Sequence, residues 1–130
     1  MAIWAFIYRL TGGLLLGSMG PGSPLLLLNT VGRKSGKRRT VPVTYFMDGD
    51  RYIITASKGG SDSNPGWYYN LRANPQTTIQ VKDKIISVTA SEANPEERTR
   101  LWARLVSQMP QFKKYETKTK RVIPMMILKP

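Results

Sequence analysis

The sequence predicts a small α+β, mainly β, domain: an antiparallel barrel with helices at its rim. Three observations predict it. Short apolar or alternating runs recur along the chain, they are joined mostly by hairpin-length turns such as Asp48-Gly49-Asp50 and Lys82-Asp83-Lys84, and only a few stretches carry a helical pattern. Parallel strands need long crossovers, so short links imply antiparallel pairing, and closure removes the exposed sheet edges that such pairing leaves. With 130 residues, 41% of them hydrophobic, the chain can bury one real core.

Taken in order, residues 1–24 read as an amphipathic helix and a Gly/Pro/Ser linker, and residues 25–130 as the barrel. Ile3, Ile7, Leu10 and Leu14 share one helical face, with Trp4, Tyr8 and Leu15 beside it. Arg9 and Gly12-Gly13 interrupt what a signal peptide would keep apolar, and the stretch falls short of the ~20 apolar residues of a membrane span. Packing on the domain is the first reading of this helix, and interfacial membrane contact the second.

Leu25–Thr30 is short and apolar enough for a buried strand, and the base-rich Gly32–Arg39 follows as a loop. Val41–Met47 reads as a strand in which Pro42 argues for an edge or irregular start. Arg51–Ser57 returns across the Asp-Gly-Asp turn. Asn64 is the expected cap of a short helix, with Pro65 in its first turn and Asn74-Pro75 as its stop. Thr77–Lys82 and Ile85–Ser91 form a second hairpin. Asn94-Pro95-Glu96-Glu97 opens a longer helix whose apolar face is Leu101, Trp102, Leu105 and Val106, with Arg98, Arg100 and Arg104 turned away. Met109–Arg121 is polar apart from Phe112 and Tyr115, a candidate lid, and Val122–Lys129 is the last strand.

Composition excludes several chemistries. The chain has no cysteine and no histidine, which removes disulfides, thiolate nucleophiles, Ser-His-Asp triads and His-containing metal sites. Its eight acids are scattered, so paired-carboxylate catalysis and a carboxylate metal loop are not encoded. An enzyme so equipped must draw its chemistry from a bound cofactor. The formal charge of +12 favours a polyanionic partner.

Two segments suit such a partner. In Gly32–Arg39, two glycines free the backbone while Arg33 and Arg39 can grip an anion in bidentate fashion. Taken alone, the segment is better accounted for as a solvated hairpin loop, and its spacing is not that of a P-loop. Ser57-Lys58-Gly59-Gly60 precedes a helix start, where anions collect. Of the aromatics that follow, Trp67 can wall a planar ligand, whereas Tyr69 and Leu71 are expected in the core.

The ordered motifs "TVGRKSGKRRTVPV", "ASKGGSDSNPGWYYNLRANP" and "IPMMILK" resemble the deazaflavin-dependent nitroreductase and quinone reductase family. The resemblance runs from about Leu25 to the C-terminus. It implies a split β-barrel of the flavin-reductase-like superfamily and hydride transfer from reduced coenzyme F420, an 8-hydroxy-5-deazaflavin. The acceptor would be a quinone, an enone or another activated alkene, or a nitroaromatic. By this resemblance Arg33, Lys34, Ser35 and Arg39 hold the phosphate and the tail carboxylates. Ser57, Lys58 and Gly59 line the phosphate and ring edge, the backbone near Pro42 and Ala56 lies alongside, and Trp67 and Tyr68 shape the groove. The substrate pocket falls to Trp4, Met109, Phe112 and Tyr115, with Tyr115, Ser57 or water donating the proton. Where relatives offer tyrosine hydroxyls in the late segment, this chain keeps only Tyr115.

FMN on the same barrel is the alternative cofactor, and a basic nucleic-acid-binding barrel the alternative class. No specific nucleic-acid partner is expected, because Trp67 and Tyr68 sit on a helix and not on a strand platform. The expected setting is cytoplasmic, at most along the inner face of the membrane, as a monomer or homodimer.

Overall fold

The computed structural model describes residues 24–130; the expected N-terminal helix and Trp4 lie outside the described residues. Six strands close into a barrel in the order β1-β2-β3-β6-β5-β4. They are β1 (Leu25–Val31), β2 (Arg38–Asp48), β3 (Arg51–Thr55), β4 (Gln76–Val81), β5 (Lys84–Glu92) and β6 (Met125–Lys129). Every pairing is antiparallel. Helix α1 (Gly66–Ala73) is inserted between β3 and β4, and helices α2 (Pro95–Gln108) and α3 (Phe112–Lys118) between β5 and β6.

The apolar runs divide between two cores. Leu26, Leu28, Ile54, Met126 and Leu128 fill the barrel. Ile53, Met125 and Ile127, one residue out of phase, meet Leu101, Trp102 and Leu105 of α2 outside it. Strands β3 and β6 are thus buried on both faces, which is why "MMIL" reads as an unbroken apolar run and not as an alternating one.

Pro42 lies inside β2 and not at an irregular start, opposite Leu27. The Tyr45 amide donates to the Pro24 carbonyl, so odd-numbered residues of β2 turn their amides toward β1 and Pro42 turns its nitrogen the other way. On that side the β3 pairing begins only at Tyr45. The missing donor therefore costs no ladder bond, and this part of β2 behaves locally as an edge.

Helix α2 begins as its sequence predicts: the Asn94 side chain accepts from the Glu97 amide at 2.8 Å, with Pro95 in the first turn. Its arginines do not simply face water. Arg98 lies over the Trp102 ring, 4.8 Å from its centre, and donates to the Ile123 carbonyl. Arg100 and Arg104 both reach Asp48, which Arg51 also binds while donating to Glu97. Hydrogen bonds from Arg100 and then Arg51 hold the Asp48 carboxyl well below the usual carboxylate range. This knot fastens the β2–β3 hairpin to α2.

Candidate cofactor site

A cavity of about 510 Å³ opens where the β1–β2 loop, the turn after β3 and the start of α1 meet. Thr30, Arg39 and Val41 come from strands β1 and β2, Arg33, Lys34 and Ser35 from the loop between them, Lys58 from the turn, and Pro65, Gly66, Trp67 and Asn70 from α1 and its entry. Four cations converge there and no carboxylate lines it.

The loop is folded on itself. The Gly32 amide donates to the Lys37 carbonyl and the Gly36 amide to the Gly32 carbonyl, both at 2.8 Å. Ser35 Oγ accepts from the Lys37 amide, so this side chain shapes the loop from within. Asn70 then ties loop to helix: its Oδ1 accepts from the Arg33 amide at 3.1 Å, and its Nδ2 donates to Thr30 Oγ1 at 3.2 Å. A buried asparagine within a helix is poor in propensity and must satisfy its amide, and here both ends are used. Sequence reasoning missed Asn70; its spacing of three from Trp67, on the same helical face, was the available signal.

The aromatics are distributed otherwise than the sequence predicts. Tyr68, not Tyr69, is in the core: Tyr68 is 5% exposed and packs among the barrel residues, three positions from the buried Leu71. Its hydroxyl donates to Glu92 at 2.6 Å, and burial, then Glu92, pushes the phenol upward. Tyr69 is on the surface at 37% exposure, beneath the Arg33 guanidinium 4.8 Å from its ring centre. Three consecutive aromatics leave the helical phase open; the pairs Tyr68/Leu71 and Trp67/Asn70 set it.

The turn after β3 is conformationally unusual. Lys58, Gly59 and Gly60 all have positive φ, at 47, 65 and 84°, and Lys58 is exposed there with Nζ 3.4 Å from Ser63 Oγ. Ala56 and Ser57 are buried just before it. Neither they nor Pro42, Gly59 and Tyr68 line the cavity. Asn64 does not cap α1, whose first residue is Gly66 after Pro65. Its Oδ1 instead accepts from Arg121 at 2.6 Å, and its amide donates to the Tyr69 hydroxyl.

Met109 and Phe112 are buried in the second core at 3% and 7% exposure, so this stretch is anchored by its apolar residues although lysines flank them. Tyr115 is half-buried with its ring 5.1 Å from that of Phe112, and α3 rests on the Lys58–Gly60 turn. None of these three lines the cavity. The turn therefore separates the cation-lined side from the Tyr115 side.

Comparison with known proteins gives the family of the chain. The family description "F420H(2)-dependent quinone reductase" matches residues 2–130. The chain belongs to that family. An F420H(2)-dependent quinone reductase of Mycobacterium tuberculosis is 43% identical over 127 residues, covering 94% of this chain and 84% of the relative. The solved structure of an F420-H2 dependent reductase is 41% identical with a TM-score of 0.74, over 82% of this chain and 94% of that one. Another, described as a domain-swapped dimer, is 35% identical with a TM-score of 0.75, over 98% and 100%. The family member described here is an oxidoreductase on a split barrel, its cofactor is coenzyme F420, and the FMN alternative finds no support. The cavity fits such a group: an elongated polyanion needs converging cations free of competing acids, and a planar head needs a flat wall such as Trp67. Among the described residues no helix is long and apolar enough to cross a membrane.

Proposed function

We propose that this chain reduces a quinone, and by the same chemistry an activated alkene or nitroaromatic, at the expense of reduced F420. The observation that carries the reading is a cavity with Arg33, Lys34, Arg39 and Lys58 on its wall, Trp67 beside them, and no carboxylate. When bound, the deazaflavin supplies the hydride; a quinone takes that hydride and one proton to become a hydroquinone.

The chain's own work is to bind, orient and protonate. Arg33, Lys34 and Arg39 bind the phosphate and tail carboxylates, the guanidiniums in bidentate fashion. Lys58 meets the phosphate from the opposite rim, and Trp67 limits how the planar head can lie. Ser35 fixes the curvature of the loop, while Ala56, Ser57, Gly59 and Pro42 contribute backbone around the turn. The acceptor sits on the far side of that turn, against Tyr115, with Met109 and Phe112 as its apolar support and Trp4 as a further wall. Tyr115 is the proposed proton donor and Ser57, at 8% exposure, the second candidate. Because quinones partition into bilayers, residues 1–24 bring the protein to a membrane surface, which vesicle co-sedimentation of full-length and shortened chains tests.

Titration with oxidised F420, followed by fluorescence, tests the site. Saturable binding is expected, with Arg33→Ala and Lys58→Ala each weakening it roughly tenfold, the loss of one charge-assisted hydrogen bond of ~1.5 kcal/mol. A deazaflavin without the phosphate and tail should bind all three proteins alike. Unchanged F420 affinity in both variants would overturn the site. Turnover with a naphthoquinone, an enone and a nitroaromatic then ranks the acceptors.

A further inference from the structure

We propose that Arg121 is a positioning residue of the coenzyme site, setting the backbone of residues 56–64 so that Lys58 and the entry to α1 face the same ligand. Its Nε donates to the Ser61 carbonyl at 2.8 Å and its Nη1 to Asn64 Oδ1 at 2.6 Å. Its Nη2 donates to two consecutive carbonyls, Ala56 at 3.0 Å and Ser57 at 2.9 Å. One guanidinium thus grips the segment before the turn, after it and at the residue preceding Pro65.

The segment needs such a grip. Three successive residues at positive φ, one of them a lysine, form an arrangement that an isolated chain rarely adopts. The turn's own support is slight: the Gly60 amide donates to the Ser57 carbonyl at 3.0 Å and the Ser61 amide to the Lys58 carbonyl at 3.2 Å. Both ends of the segment lead to cavity wall, Lys58 at one and Pro65-Gly66-Trp67 at the other.

The chemistry of its contacts separates Arg121 from the three arginines that fasten α2 to the β2–β3 hairpin. Arg51, Arg100 and Arg104 are ion-paired to Asp48 or Glu97. All four acceptors of Arg121 are neutral oxygens, and no ion pair among the described residues involves it. Its guanidinium is therefore spent on backbone and amide oxygens of the turn segment, although Asp62 lines the same surface cavity as Arg121. Lysine cannot replace it, since a single ammonium on a flexible stem does not present a planar fork to three carbonyls at once.

This assignment rests on the coenzyme site proposed above, and its test keeps the two apart. Arg121→Lys, Arg121→Ala and, as a matched control, Arg104→Ala are compared with wild type. Amide hydrogen exchange is measured without coenzyme, F420 affinity by fluorescence, and global stability by melting temperature. In Arg121→Lys the Gly60 and Ser61 amides should exchange faster while the barrel amides do not. F420 should bind roughly tenfold more weakly, the equivalent of ~1.4 kcal/mol. Arg104→Ala should move the melting temperature and leave F420 affinity unchanged. Added methylguanidinium should restore part of the affinity of Arg121→Ala. Wild-type F420 affinity in Arg121→Lys overturns the assignment, and so does equal weakening in Arg104→Ala, which would mark a general stability effect. Wild-type protein that binds no F420 overturns the coenzyme site itself, and the positioning role with it.

Discussion

Alanine at Gly60 measures how firmly the Lys58–Gly60 turn rests on α3. Gly60 has φ +84°, and a Cβ there would stand 3.2 Å from the Cα of Tyr115 and 3.0 Å from Lys118 Cδ. The far end of the lysine stem can swing aside, but Lys118 Cβ at 3.1 Å and the Tyr115 Cα are fixed by the α3 backbone. Gly59 is the internal comparison, with φ +65° and nothing within 4 Å of its would-be Cβ. A left-handed alanine costs ~1–2 kcal/mol at either position, and overpacking adds ~1–3 kcal/mol at Gly60 alone. At ~2.1 cal/mol/K per residue, a chain of 130 residues loses about 4 °C of melting temperature per kcal/mol. Gly59→Ala should therefore melt roughly 4–7 °C lower and Gly60→Ala roughly 7–18 °C lower than wild type by scanning calorimetry. A Gly60→Ala melt equal to or above that of Gly59→Ala would refute the contact between the turn and α3.

Other perturbations separate scaffold from site. Asp48 has its pKa depressed by Arg100 and Arg51, so its stabilising effect is present above the unfolded value of ~3.9 and is lost as pH falls through the folded one. Asp48→Asn should be roughly 1–3 kcal/mol less stable at neutral pH, with a flatter loss of stability under acid; urea unfolding at several pH values checks both. Tyr68→Phe removes the hydrogen bond to Glu92 and should cost ~1.5–3 kcal/mol in urea unfolding without changing F420 affinity. Tyr69→Ala should do the reverse, freeing Arg33 from its ring and weakening F420 binding at nearly unchanged stability. Asn70→Leu leaves the Arg33 amide and Thr30 hydroxyl without their partner, and should lower both melting temperature and F420 affinity.

The strands were legible because their signals are local: apolar runs, two tight turns and the Asn94-Pro95 cap all act within a few residues. The cation-bearing loop and Lys58 were legible for the same reason, although only the fold brings them to one cavity. What escaped was set by distant partners. Asn64 has the composition of a helix cap, but Arg121, 57 positions away, claims its oxygen. Arg100 and Arg104 look like a solvated helix face until Asp48, 52 and 56 positions back, arrives beside them. Met109 and Phe112 stand among lysines in the sequence, yet a second core outside the barrel needs their bulk. Local pattern carries no information on which of two cores a residue will enter.

Strand β6 lies between β3 and β5, although it is the last of the six to be synthesised. Until Met125–Lys129 leave the ribosome, both neighbours present open edges and the barrel cannot close. Arg121 emerges just ahead of that strand, so the carbonyls of Ala56, Ser57 and Ser61 acquire their guanidinium partner in the same interval. Closure of the barrel and fastening of the Lys58–Gly60 turn are thus one event in the life of the nascent chain. A chain stopped before Arg121 would lack both.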